Sequence, residues 1–497
     1  MQPISLRPGL ARFVGVLIAL YACSALSQDP PALVAELSQQ YKLPPQAFAV
    51  QIQELDSGRI VYQWNTQQPM NPASLMKLVT TYAALEKLGP TFTWKTSLAA
   101  LAPPAESAGP KRAAKNRSVG IWQGDWILKG SGDPSLNLER LWLLLRQARQ
   151  LGWREIDGNL WLDRQAFQLP PHDPAAFDGE PSRPYNVGAD ALLLNYQSVQ
   201  IRFVPDPFNK RLRILTDPDV PVQDDIKPSN SPCPGSSWRD GVSAVWQGGM
   251  TLKLSGTYPL ACGAQSLFRS PPQADAYATV LIRQLWQELG GVWHGQAKTL
   301  PRAEVGRQDV TPQIIAQIES PPLAEIVREI NKNSNNVMAR NLFLTLGLDD
   351  PAQPSQPSTL ERSRQAVREI LQTKGLQFTE FSVENGAGLS RTDRLSAASL
   401  SRLLQTAWRS PVMPEFVSSL AVLAQDGTIR SRLKNKGMNG VAHLKTGTLN
   451  DVRALAGYLL ASSGKRYSYV CLLQDPRADE IGRALQDSVL QWAYSNF

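Results

Sequence analysis

Asn71-Pro72-Ala73-Ser74-Leu75-Met76-Lys77 is the stretch on which the reading of this chain turns. Asn71 suits a helix N-cap, and Pro72 suits the first helical position, where no backbone N–H is needed. Leu75, Leu78, Val79, Tyr82 and Leu85 recur at helical spacing, and Gly89-Pro90 supplies the stop. The spacing predicts a helix that carries Ser74 and Lys77 at i and i+3, on one face. A serine hydroxyl is a poor nucleophile until a base takes its proton. Lysine can be that base only when partly neutral, and burial beside another cation lowers its pKa. The unpaired N–H groups at a helix start can help stabilise an oxyanion. Ser-x-x-Lys arises by chance about twice in a chain of this length, so the motif needs support from the rest of the sequence.

Two other stretches supply that support. Lys445-Thr446-Gly447-Thr448 follows the apolar Val441-Ala442 on a predicted strand. A cation, two hydroxyls and a glycine on one strand suit a peptide carboxylate, because glycine admits a close backbone and lysine supplies the counter-charge. Ser334-Asn335-Asn336 falls between two predicted helices, Leu323 to Ile330 and Val337 to Leu348. Alone it would be an ordinary cap. What gives it weight is the order Ser-x-x-Lys, Ser-x-Asn, Lys-Thr-Gly, each in its expected element.

Around these motifs the pattern is mixed. Pro31 to Tyr41 reads as a short helix, and Phe48, Val50 and Ile52 alternate as a strand that returns through Asp56-Ser57-Gly58 to Ile60–Trp64. From Thr91 to about Phe268, short β-like runs are broken by loops at Ala102 to Arg112, Leu169 to Pro184 and Thr216 to Pro234. Helical patterns resume at Tyr277 to Leu289, then at Leu360 to Lys374, Ala397 to Ser410 and Pro414 to Leu423. Strand-like runs at Val441 to Thr448, Ala454 to Ala461 and Tyr467 to Leu473 precede a last helix. The expected fold is α/β in the α+β sense: an antiparallel sheet flanked by helices, with a large mixed insertion. The expected division is residues 28–90 with 270–497 as one domain and 91–269 as the insertion, with a nested β-rich part at about 197–265.

The chain has 497 residues, 42% of them hydrophobic, enough for two or three domains. Its formal charge is +8; Arg7 and Arg12 contribute two of these, leaving +6 beyond residue 27. Without Lys/Arg-rich runs, that excess fits an anionic cell-surface polymer, or plain solubility, better than nucleic acid. Arg7 and Arg12, the apolar run Phe13 to Tyr21 and the small residues Ala25 and Ser27 read as a secretory signal over 1–27. Leu20-Tyr21-Ala22-Cys23 resembles a lipoprotein cleavage box, with Tyr21 atypical. The mature chain is expected in the periplasm or cell envelope, soluble or peripheral at the membrane. Cys233 and Cys262 flank a β-like segment and could pair in an oxidising compartment; Cys471 lies in an apolar run that suits a buried thiol. No Cys/His cluster suggests zinc, and only His443 of the three histidines stands near a motif.

Taken together, the three motifs resemble those of the D-alanyl-D-alanine carboxypeptidase/endopeptidases among the low-molecular-mass (class C) penicillin-binding proteins. The 260 residues between Ser74 and Ser334 are far more than class A β-lactamases place there, and match that family's insertion after the nucleophile helix. Leu128 to Leu136, Asp426-Gly427-Thr428 and Glu384 to Arg391 are also similar to family segments. The last departs from Asp-Gly-Ser-Gly-Leu-Ser-Arg in having Asn-Gly-Ala-Gly at its centre. The resemblance implies a β-lactamase-like transpeptidase fold, no metal or organic cofactor, peptidoglycan stem peptides as substrate and β-lactam antibiotics as inhibitors. It implies that Ser74 attacks the D-Ala-D-Ala carbonyl, Lys77 acts as base and Ser334 relays the proton to the leaving amine. Asn336 would hold the substrate amide, and Lys445, Thr446, Gly447 and Thr448 its carboxylate, with the N–H groups of Ser74 and Thr448 as the oxyanion hole. Three alternatives remain: a serine β-lactamase, a Ser-His-Asp hydrolase, for which no G-x-S-x-G elbow is present, and a non-catalytic wall-peptide-binding or penicillin-sensing protein.

Overall fold

The computed structural model describes residues 31–101, 120–206, 208–209, 211–301, 312–352 and 354–497. The expected signal at 1–27, with Cys23, and the loop Ala102 to Arg112 lie outside them.

Six antiparallel strands form the central sheet, in the order Ala421–Val422, Ala442–Leu449, Val452–Leu460, Arg466–Gln474, Phe48–Glu54 and Ile60–Trp64. The two-residue period of these strands decides which core each side chain joins. Phe48, Val50, Ile52, Leu455, Tyr469 and Cys471 point to a core shared with the helices Ala32–Tyr41 and Ala478–Asn496. Ala49, Ala454, Ala456, Val470 and Leu472 point to the opposite core, with the helices Met76–Leu88, Leu323–Asn333, Asn336–Leu346, Leu360–Thr373 and Ala397–Trp408. Each large aliphatic side chain fully buried in these layers contributes about 1.5–3 kcal/mol. Cys471 is a buried free thiol whose pKa burial pushes up to about 12, so it stays an inert thiol.

The inserted part has its own core. Its main sheet runs Ala297–Thr299, Leu160–Asp163, Trp126–Lys129, Lys95–Ala100, Gln313–Glu319. A second sheet pairs Val292–Trp293, Glu155–Asp157 and Ile121–Gln123 in parallel. Two further three-stranded sheets, Val222–Ser229/Leu252–Pro259/Val242–Trp246 and Gln265–Arg269/Val199–Asp206/Arg211–Asp217, complete it. Cys233 and Cys262 form a disulfide there.

Two expectations need correction. The boundary near 269/270 falls too early: helix Ala274–Glu288 buries Tyr277, Leu281, Leu285 and Trp286 in the insertion's core, and Gln313–Glu319 hydrogen-bonds to Lys95–Ala100. An amphipathic stripe shows that a helix has a buried face; it does not say against which sheet. The loop expected over Thr216 to Pro234 contains the strand Val222–Ser229, paired in parallel with Leu252–Pro259. That strand carries Asp224, Asp225 and Pro228 and is mostly exposed, so it lacks the apolar alternation that marks a strand in sequence.

Candidate active site

The Ser74 turn differs in detail from a simple capped helix. Ala73–Leu75 is a 3-10 turn, and the α-helix proper begins at Met76. Asn71 does not cap it as an N-cap. Its Oδ1 accepts from the Ala73 N–H at 2.9 Å, and its Nδ2 donates to the Ser390 carbonyl at 2.9 Å. Ala73 is held at φ 46°, a left-handed backbone that costs a non-glycine residue about 1–3 kcal/mol. Tertiary packing imposes it. Gly388, at φ 77°, lies so close that a Cβ there would sit 1.9 Å from the Ala73 carbonyl oxygen. On the other side, a Cβ on Gly447 would lie 2.7 Å from the Pro72 carbonyl. Both glycines are needed for backbone to meet backbone around the serine.

Lys77 Nζ is fully buried and donates three hydrogen bonds: to Ser74 Oγ at 2.9 Å, to Asn336 Oδ1 at 2.6 Å and to the Ala387 carbonyl at 2.5 Å. Its pKa lies well below the ordinary lysine value, first because it is buried, then because the Lys445 and Arg340 cations repel its charge; Asp393 opposes them. Facing this pair, the Lys445 ammonium donates to Ser334 Oγ at 2.8 Å and to the Thr446 carbonyl at 2.7 Å. Burial pushes Lys445 down to about 7. Ser334 ends helix Leu323–Asn333 in the left-handed conformation, φ 57°, and Asn335 caps the next helix by accepting from the Met338 N–H. That tight junction aims Ser334 and Asn336 into the same cleft.

Thr446 Oγ1 donates to Thr428 Oγ1 at 2.9 Å. Lys332 secures that loop through Asp426, whose Oδ1 also accepts from the Val422 N–H. Strand Ala421–Val422 pairs only with His443 and Leu444, so among the described residues no strand lies beside 445–448 on the outer edge. Thr448 is exposed along it.

Sequence reasoning missed three contributors. The Ala387 carbonyl acts through backbone, so the replacement of the family's serine by alanine there leaves its bond to Lys77 in place. Arg340 is buried on helix Asn336–Leu346, and burial lowers it to about 10; a cation in an apolar helical run was the available signal. Asp393 carried no sequence signal. Leu128 to Leu136 also has a place: helix Asn336–Leu346 reaches it through Asn341, whose Nδ2 donates to the Gly132 and Asp190 carbonyls. Histidine is not part of the site. His172 and His294 bond within the insertion, and His443 is half-buried with no polar partner on Nδ1 among the described residues. That removes the Ser-His-Asp alternative.

An antiparallel sheet, a helix presenting Ser-x-x-Lys and a facing lysine on a sheet strand define the class of active-serine penicillin-binding folds. The chain belongs to the D-Ala-D-Ala carboxypeptidase 3 (S13) family, whose model matches residues 31–495, and it is a serine carboxypeptidase of that family. It is 23% identical to D-alanyl-D-alanine carboxypeptidase DacB of Haemophilus influenzae, with 84% of this chain and 83% of that protein aligned. It is 25% identical to a D-alanyl-D-alanine carboxypeptidase of Actinomadura sp., over 82% of this chain and 74% of that one. The fold is that of penicillin binding protein 4 from Haemophilus influenzae, with a TM-score of 0.72 at 21% identity, covering 93% of this chain and 99% of the other.

Proposed function

We propose that Ser74 is the acylated nucleophile, Lys77 its base, and that the enzyme trims peptidoglycan stem peptides in the periplasm or cell envelope. The observation that carries this reading is the buried Lys77 Nζ, 2.9 Å from Ser74 Oγ and depressed in pKa. In its neutral form Nζ keeps two N–H donors, for Asn336 Oδ1 and the Ala387 carbonyl, and turns its lone pair to Ser74, so that it can take the hydroxyl proton as Ser74 attacks the D-Ala-D-Ala carbonyl. The N–H groups of Ser74 and Thr448 would form the oxyanion hole, a reading supported by the close packing of the neighbouring Gly447 on Pro72 and Ala73. The unpaired edge at 445–448 suits an extended peptide, and the Lys445 ammonium, Thr446 and Thr448 suit its terminal carboxylate. The charge of that carboxylate would favour the Lys445 ammonium, which in turn disfavours a proton on Lys77. Ser334, bonded to Lys445, is placed to pass the proton to the leaving D-alanine, and Asn336 Nδ2 to hold the substrate amide. Water then releases the acyl group. The same cleft would cut D-Ala-diaminopimelate cross-links, an endopeptidase action, where the leaving group is a longer peptide.

A β-lactam presents an amide and a carboxylate in the same relation, so it would acylate Ser74; penicillin binding protein 4 of Haemophilus influenzae has been solved with one. Among the described residues no helix is long and apolar enough to cross a membrane; secretion through the 1–27 signal and peripheral attachment belong to this proposal. The test is labelling with fluorescent penicillin. Wild type should label and Ser74→Ala should not; labelling that survives the substitution places the nucleophile elsewhere. Slow release of the label is expected of a peptidase, rapid turnover of a β-lactamase.

A further inference from the structure

One carboxyl group whose charge acts on Lys77 is not used by the steps above. Asp393 has no exposed surface. Its Oδ1 accepts from the Glu384 N–H at 2.8 Å, and its Oδ2 is buried with no hydrogen-bond partner among the described residues. A buried carboxylate oxygen left bare is costly unless nearby positive charge supports it. The ammonium form of Lys77 is the positive charge that favours the Asp393 anion.

Asp393 also closes the loop that touches Lys77. Its own N–H and that of Thr392 donate to Ser390 Oγ, at 3.1 and 3.0 Å. Within the loop, Asn385 Oδ1 accepts from the Ala387 N–H and Asn385 Nδ2 donates to the Leu389 carbonyl. Thr80 Oγ1, one turn beyond Lys77, donates to the Gly386 carbonyl at 2.6 Å. The result is a short ring of backbone from 384 to 393 with the Ala387 carbonyl aimed at Nζ.

We propose that Asp393 is a positioning residue for Lys77: it anchors the loop whose Ala387 carbonyl holds Nζ, and its charge balances the cations gathered there. The proposal rests on the reading of Lys77 as base. The charged groups facing Lys77 are Lys445 from strand Ala442–Leu449, Arg340 from helix Asn336–Leu346, and Asp393; those facing Asp393 are Lys77 and Glu384. Burial pushes Asp393 up to about 6. Above that pH its anion favours the Lys77 ammonium. Below it the carboxyl is neutral, that pull is gone, and Lys77 resists protonation as the medium acidifies.

The experiment is the pH dependence of β-lactam acylation. In Asp393→Asn the Glu384 N–H keeps its acceptor but the charge is lost, so the acid limb should move to lower pH by about one unit. An unmoved limb overturns the charge role. Asp393→Ala, which also removes the anchor, should lower the plateau rate about 10-fold; a wild-type plateau overturns the positioning role. If the Asn variant does not fold, the reciprocal measurement decides. In Lys77→Met, the Asp393 carboxyl, followed by carbon-13 NMR of labelled aspartate, should titrate at higher pH than in wild type, and no change overturns the proposal. Normal acylation by Lys77→Ala would instead sink the reading of Lys77 as base.

Discussion

The two walls of the cleft each hold a serine beside a lysine, by different means. On one wall Ser74 and Lys77 are three residues apart, and the turn of backbone between them sets their 2.9 Å contact. On the other wall Ser334 and Lys445 are 111 residues apart, and meet at 2.8 Å only because a left-handed helix junction and a sheet strand are packed against each other. The first pair has local geometry and a pKa set from outside. The second has geometry that depends on the whole packing of sheet and helices. A local pair supplies proximity cheaply, but it cannot supply its own electrostatics: the Lys77 pKa is held down first by burial under the surrounding packing, then by Lys445 and Arg340, which approach from two other elements.

That contrast can be broken most sharply at Lys77. Lys77→Ala should slow acylation by every acyl donor by about 10²- to 10⁴-fold, the range for loss of a general base, read by stopped-flow acylation with penicillin. Lys445→Ala should be smaller and selective. It should cost about 10- to 10²-fold in kcat/KM for donors that carry the carboxylate, as when one partner of a buried charge pair is truncated. A thioester donor without that carboxylate should be much less affected. If both donors lose equally, the second wall does chemistry rather than recognition. Lys445→Ala also removes a cation that disfavours the Lys77 ammonium, so Lys77 should hold its proton to higher pH and the acid limb should move up, opposite in sign to Asp393→Asn. The smallest effect on activity belongs to the insertion. Cys233→Ser should free a loop constraint worth about 3 kcal/mol and increase cleavage of the insertion in limited proteolysis. Acylation should stay within about twofold of wild type, because the disulfide lies in a core separate from the cleft.

Much of the catalytic body was legible because its signals are local. The apolar period of Leu75 to Leu85, the alternation of Phe48, Val50 and Ile52, the apolar run within Arg466–Gln474 and the three motifs each depend on neighbours a few residues away. The insertion was less legible. Val222–Ser229 forms a strand through backbone pairing that its polar side chains do not announce, and helix Ala274–Glu288 carries a stripe that could have served either core.

The sequence by itself determined that Ser74 and Lys77 share a face, that Ser334 and Asn336 stand at a helix junction and that Lys445 lies on a strand, since backbone period and capping chemistry act over three or four residues. Tertiary structure alone decided that Ala73 is forced to a positive φ between Gly388 and Gly447, that the Ala387 carbonyl and Asp393 attend Lys77, and that two buried lysines face each other across the cleft. Burial and charge proximity are sums over neighbours hundreds of residues distant, and no local pattern encodes such a sum.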